Sequence, residues 1–263
     1  MIYIEGTQIA ADDLPMVLWD NFYARGTLTV SSETSDGAGA NATDETTYDY
    51  WTPASLPATL QVTLSSAEAA DCCAITAHTL GTDGATVAVE YLDGVTWTEL
   101  GSVTPTTDDP IMIIFDETTD ADFRISITGS TAPSIGVVFL GKRLTFSTGV
   151  ALPYTPIWQS QKVDLLQSVS LGGQFLGNRV NRRGGTGAVT LNVLERSFIE
   201  GADFQAFKAH YDNGKAFFFA SSPSGYDEDL AYVWRAPNNT MRPTFANNGL
   251  FYQVNMSLEA YVE

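Results

Sequence analysis

The stretch Glu90–Gly101 reads EYLDGVTWTELG. An alternating apolar run stops at Asp93-Gly94, and Trp97 returns three residues later. Asp-Gly can supply the positive-φ positions of a tight turn, so the two flanks read as a β-hairpin. Trp97 then folds back as a half-buried aromatic plug at a sheet edge. Working outward, ATVAVEYLD (85–93) places Val87, Val89 and Tyr91 on one face, and ADFRISITG (121–129) does the same with Phe123, Ile125 and Ile127. TLQVTLSS (59–66), CAITAHTL (73–80), PIMIIFD (110–116) and SIGVVFLGKRLTF (134–146) are further strand candidates, separated by Gly, Asp, Thr, Ser and Pro. Period two at this spacing predicts a mainly β, antiparallel sandwich or barrel, with no helix of any length before Phe146.

After Phe146 the texture changes. STGVALPYTPIWQSQ reads as an extended connection, and glycines flanking NRVNRR read as a mobile loop between strands. TGAVTLNVL is a strand with Val189, Leu191 and Val193 on one face. Helical spacing of Ile199, Ala202, Ala206, Phe207, His210 and Tyr211 predicts one helix over 199–212, stopped by Gly214. Strands KAFFFA, AYVWRA and FYQVNMSLEAYVE follow, the last alternating Tyr252, Val254, Met256 and Leu258 against polar neighbours.

Charge divides the chain. Residues 1–140 hold 21 acids against Arg25 and Arg124, a net −19, whereas residues 141–263 hold 10 acids and 11 bases, a net +1. This split implies two units of different surface character, and it disfavours nucleic-acid binding by the first. Cys72 and Cys73 are adjacent and point to opposite faces of a strand, so buried thiols are expected rather than a bridge. His78 and His210 are the only histidines, which leaves little material for imidazole catalysis. Acid pairs such as Asp108-Asp109 and Asp227/Asp229 exist by number alone among 31 acids, and no nucleophile elbow, phosphate loop or metalloprotease helix is present. No enzymatic activity is expected. The longest apolar runs, IMIIF (111–115) and AFFFA (216–220), are too short to cross a bilayer as helices, and the N-terminus has no secretory pattern.

NATDETTYDYW (41–51), ATLQVTLSS, the Asp-Gly–Trp hairpin and ADFRISITGS stand in the order and spacing of discoidin-like, galactose-binding jelly rolls, over roughly residues 20–145. This resemblance implies a jelly roll over 17–146, with end loops that in many relatives bind sugars. Tyr48, Tyr50, Trp51 and Asp49 are the corresponding carbohydrate candidates; the alternative makes Trp51 core and the tyrosines loop surface. Some relatives hold a calcium near this loop. Asp44 and Asp49 would be its ligands here, two toward the six or more oxygens that calcium takes. No other cofactor is expected.

Residues 147–263 resemble the tube-proximal domain of distal tail and minor tail proteins of long-tailed bacteriophages, through the Gly-rich basic segment, the Phe204/Phe207 helix leading into KAFFFA, and the VNMSLEAYVE strand. The resemblance implies a tail-type β-barrel or sandwich with one flanking helix that forms a ring. Residues 1–16 would be an N-terminal strand or arm belonging with that domain, the jelly roll being inserted after the strand MIYIEG. It further implies a structural virion protein at the tail tip or baseplate, assembled in the host cytoplasm. Its partners would be itself (hexamer first, trimer second), the tail tube protein and tail hub or tip proteins, with DNA only as passing cargo and no membrane insertion. Arg179, Arg182 and Arg183 would sit at the subunit interface or face the lumen. The alternatives are a carbohydrate-binding receptor-recognition protein that binds a host surface glycan, and a ligand-free decoration protein.

Overall fold

A computed structural model describes residues 1–5, 13–246 and 249–262. The fifteen described strands are β1 (Ile2–Ile4), β2 (Met16–Leu18), β3 (Thr27–Val30), β4 (Ala58–His78), β5 (Thr86–Asp93), β6 (Thr96–Val103), β7 (Ile111–Thr128), β8 (Ile135–Gly141), β9 (Leu144–Thr145), β10 (Gln161–Val169), β11 (Phe175–Leu194), β12 (Phe217–Ala220), β13 (Leu230–Arg235), β14 (Thr244–Ala246) and β15 (Phe251–Ala260). They form two sheets, and the chain is mainly β as expected.

The first sheet folds over on itself. The strand pairs expected at 59–66 and 73–80, and at 110–116 and 121–129, are each one long strand, β4 and β7. Near Ala58–Thr63, β4 pairs with β3 and with Asp122–Ile127 of β7; near Cys72–Ile75 it pairs with β8 and with Ile111–Ile114 of β7. The register breaks at Thr63/Glu68 and Ala70/Cys72, where the strands turn from one layer into the other. One layer is therefore β3-β4-β7-β5-β6 and the other β8-β4-β7-β1. This is a jelly-roll sandwich. Leu60, Val62, Val87, Val89, Phe123, Ile125 and Ile127 from the first layer meet Cys73, Ile75, Ile111, Ile113, Val138 and Leu140 from the second in a single core. Period-two patterning drives this, because one face of each strand is removed from water. A four-residue turn, α1 (Leu80–Asp83), links β4 to β5.

The second sheet has the order β10-β11-β15-β13-β12-β2-β9, with β14 on β15. Two expectations are corrected here. MIYIEG does not join the C-terminal unit: β1 pairs in parallel with β7 of the jelly roll. The second sheet instead takes β2, paired with β12 and with β9. A boundary between residues 16 and 17 would cut through β2, and the jelly roll is inserted between two neighbouring strands, β2 and β9. The expected helix is also split at Glu200-Gly201 into α2 (Arg196–Ile199) and α3 (Ala202–Asp212). Phe204, Phe207 and Tyr211 of α3 are buried against Phe217, Val233 and Met256. Gly214 adopts φ +75° just beyond it, the left-handed stop that glycine adopts most readily.

The two units share a core. β8 is buried along its whole length because its second face, Val137 and Phe139, meets Leu18, Phe218 and Tyr232 of the other sheet. Both thiols are buried and unbridged, Cys73 in the jelly-roll core and Cys72 in this shared one. Burial pushes both thiol pKa values up, which keeps them protonated and unreactive.

Candidate functional site

The aromatic loop expected to bind sugar lies beside the second unit. Trp51 is fully buried, donates its indole N–H to the Ser32 carbonyl at 3.0 Å and bridges to Ile135. It is core, so its ring offers no face to a ligand and its assignment to a sugar site is withdrawn. Tyr48 is 80% exposed, while Tyr50 is half-buried beside Gly136. Asp44 Oδ1 accepts from the Thr46 amide at 2.7 Å, and the Thr46 hydroxyl lies 2.7 Å from Asp44 Oδ1 and 2.6 Å from Asp49 Oδ1. One hydroxyl thus joins the two carboxylates. Glu45 turns away, accepting from the Ala216 amide at 3.1 Å. Among the described residues no three His, Cys, Asp or Glu side chains converge as metal ligands.

Trp97 is half-buried on the outer face of the jelly roll, and the Arg124 guanidinium stacks 4.1 Å from its ring centroid. Arg124 is also ion-paired with Glu90. The turn beneath it is Gly94-Val95, with φ +65° at Gly94, so Asp93 closes the ladder opposite Thr96 instead of occupying a central turn position.

The basic segment is a strand, contrary to the expected loop. β11 enters the sheet at Gly185, which pairs with both Gln161 and Ala260. Phe175–Gly184 and β10 therefore stand out as a two-stranded ribbon, turned at Gly173 with φ +80°. Cross-strand partners share a face, so Val163/Arg183, Leu165/Val180 and Val169/Phe175 line one side, and Leu166/Arg179 the other. The register separates Arg183 from Arg179. Val163, Leu165, Val169, Phe175 and Val180 are 43–67% exposed. The sequence reading missed this apolar side. Its signal was alternation in QKVDLLQSV, obscured by the glycines around it.

A second cluster was also missed. Where the jelly roll meets α3, Arg25 holds Asp20 through Nε (3.2 Å) and Nη2 (2.9 Å), and Glu68 through Nη1 (2.6 Å) and Nη2 (2.7 Å). Nearby, Lys142 pairs with Glu117 at 2.8 Å and Arg143 with the buried Asp71 at 3.7 Å. Of these groups, Asp20, Glu68, Lys142 and Arg143 border a cleft of about 280 Å³.

No protein-family model matches the chain, and no curated protein matches it. Several solved structures are similar over about half of it. The family 32 carbohydrate-binding module from C. perfringens NanJ in complex with galactose has 18% identity and a TM-score of 0.41, covering 50% of this chain and 100% of that one. Chitosan-binding module 1 of a Paenibacillus sp. IK-5 chitosanase/glucanase has 20% identity and a TM-score of 0.40, covering 46% and 98%. The crystal structure of SpGH29 has 19% identity and a TM-score of 0.39, covering 47% of this chain but only 28% of that one.

Proposed function

We propose that this chain is a non-catalytic structural protein that works in many copies, its second unit assembling with copies of itself while the acidic jelly roll is displayed outward. The observation that carries this reading is the ribbon. A two-stranded hairpin is marginal in water on its own, and this one leaves five large apolar side chains of one face open to solvent. Burying each fully would contribute about 1.5–3 kcal/mol. The occupant is a second copy of the chain. The ribbon carries Lys162, Arg179, Arg182 and Arg183 against Asp164, a net +3, while residues 1–140 of each copy carry −19. A head-to-tail contact of this kind generates a ring where its rotation closes, each ribbon seated against the near side of a neighbour's acidic unit and the rest of that unit projecting from the rim. The sequence resemblance supplies the setting: a tail-tip ring of a long-tailed bacteriophage, a hexamer first and a trimer second. Size-exclusion chromatography with light scattering on the full chain tests this. A defined oligomer that dissociates on Val163→Ser, Leu165→Ser and Phe175→Ser is the expected result; a wild-type monomer at every concentration would overturn it.

A second reading gives the jelly roll a recognition role toward glycans. The exposed Tyr48 ring and the polar cleft beside α3 favour it, and ring multiplicity would raise the avidity of a weak site by roughly 10²–10⁴.

A further inference from the structure

The cleft between the two units has a composition suited to one class of ligand. Trp19, Asp20, Phe22, Glu68, Ala69, Lys142, Arg143, Leu144 and Asp203 surround about 280 Å³, near the low end of the roughly 300–1,000 Å³ typical of small-molecule sites. Trp19 forms an aromatic wall. It is held from behind by Phe207 and His210, with ring centroids 6.3 and 5.4 Å away. Asp20 and Glu68 are fixed by the single Arg25 fork, which itself stacks 4.8 Å from the Phe22 ring centroid. Their side chains are still 35–37% exposed, so oxygen lone pairs not used by Arg25 remain open to the cleft. Hydrogen bonding from Arg25 holds the Glu68 carboxyl below its ordinary range, so it stays an acceptor at neutral pH.

Geometry and charge together select the ligand. Every cation at the cleft already has a carboxylate partner: Arg25 with Asp20 and Glu68, Lys142 with Glu117, Arg143 with Asp71. The lining itself holds Asp20, Glu68 and Asp203 against Lys142 and Arg143, a net of −1. Such a site repels phosphates, sulfates and uronates. It offers preorganised acceptors to hydroxyl donors, a flat apolar ring to a C–H face, and an ammonium to a hydroxyl oxygen.

We propose that this cleft binds an uncharged pyranose, Trp19 facing the sugar ring and Asp20 and Glu68 accepting from its hydroxyls. The proposal rests on the recognition reading above but places the site at the junction of the two units, on Trp19, Asp20 and Glu68 instead of Tyr48. It also explains why a recognition module would be inserted rigidly between β2 and β9: the site needs walls from both units.

Saturation-transfer NMR and tryptophan-fluorescence titration of the full chain with lactose, cellobiose and digalacturonic acid test it. The neutral disaccharides should bind in preference to the uronate. Glu68→Gln should raise Kd roughly tenfold, the scale of one lost charge-assisted hydrogen bond. Ala69→Phe, which fills the cleft from a strand surface, should abolish the NMR signal, and Tyr48→Ala should leave it unchanged. Circular dichroism confirms that each variant is folded. Binding lost with Tyr48→Ala but kept by Ala69→Phe would overturn this site and leave the recognition reading standing. Preference for the uronate would overturn the charge argument, and absence of all binding would overturn both the site and that reading.

Discussion

Phe139 of the jelly roll and Phe218 of the second sheet pack edge-on, with ring centroids 5.5 Å apart and planes at 74°. Tyr232 completes the cluster, 6.0 Å from Phe139 and 5.0 Å from Phe218. All three rings are buried between the units. Aromatic pairs of this geometry contribute about 0.5–1.5 kcal/mol beyond their area burial. The two units should therefore unfold as one. Calorimetry of the wild type is expected to show a single transition, and Phe139→Ala should destabilise by about 3–5 kcal/mol. Two well-separated wild-type transitions would refute the coupling.

The same insertion changes what proteolysis should yield. Because β2 pairs with β12 at Met16–Ala220, Val17–Phe219 and Leu18–Phe218, a fragment released by one cut near residue 150 stays zipped to the second sheet. Nicked chains should comigrate with intact protein on a native column and separate only in denaturant. Release of a free acidic fragment after a single cut would show that the pairing of β2 with β12 does not hold.

The lead-in to β10 hangs on a buried carboxylate. Asp229, 1% exposed, accepts from the Tyr154 hydroxyl at 2.6 Å, the Ile157 amide at 2.9 Å and the Ser221 hydroxyl. Asp229→Ala leaves three donors without their acceptor, each costing about 1–3 kcal/mol. Urea unfolding should register several kcal/mol of destabilisation, and protease should attack residues 150–160 first. A change under 1 kcal/mol would mean that the segment is held by other contacts.

Much of this architecture was legible because burial is one-sided. ATVAVE (85–90) and FYQVNMSLEAYVE alternate cleanly, since one face of each meets a core and the other does not. The continuous strands β4 and β7 were not legible: SSAEAAD and DETTD interrupt both apolar runs where the strands cross between layers and Glu68 faces Asp120. The ribbon was hidden for the opposite reason, because neither of its faces meets a core within one chain. Asp20, Arg25 and Glu68 could not be grouped from sequence at all; Arg25 and Glu68 lie 43 positions apart and only the jelly-roll path brings them together.

Stability should also depend on one imidazole. His78 is 2% exposed, its Nδ1 accepts from the Leu80 amide at 3.3 Å, and its Nε2 has no partner. Burial pushes its pKa down to about 4 from the ordinary 6.5. The unfolded chain thus binds a proton that the folded chain refuses between these values, so stability present above pH 6.5 is lost as pH falls toward 4. The loss is on the order of 3 kcal/mol. His78→Asn keeps an acceptor for Leu80 without the titration. The variant should show a flatter stability profile across that window, and an unchanged slope would assign the pH dependence to other groups.

Assembly through the ribbon makes the most demanding prediction, because it separates charge from apolar contact. Arg179 and Arg183 are exposed, and the backbone of Arg182 is in register with Asp164. Replacing all three arginines with Glu turns the ribbon from net +3 to net −3 while leaving every apolar side chain in place. If the −19 units of neighbouring copies steer and hold the ribbon, the triple variant should remain monomeric with a native circular dichroism spectrum. Wild-type assembly should correspondingly weaken with rising salt, as interactions between exposed charges are screened beyond about 8 Å at physiological ionic strength. An oligomer in the triple variant, together with loss of the oligomer on Val163→Ser, Leu165→Ser and Phe175→Ser, would show that the apolar side alone drives association. In that case the arginines would be free to face the lumen of the ring, where they could meet DNA in passage without contributing to subunit contact.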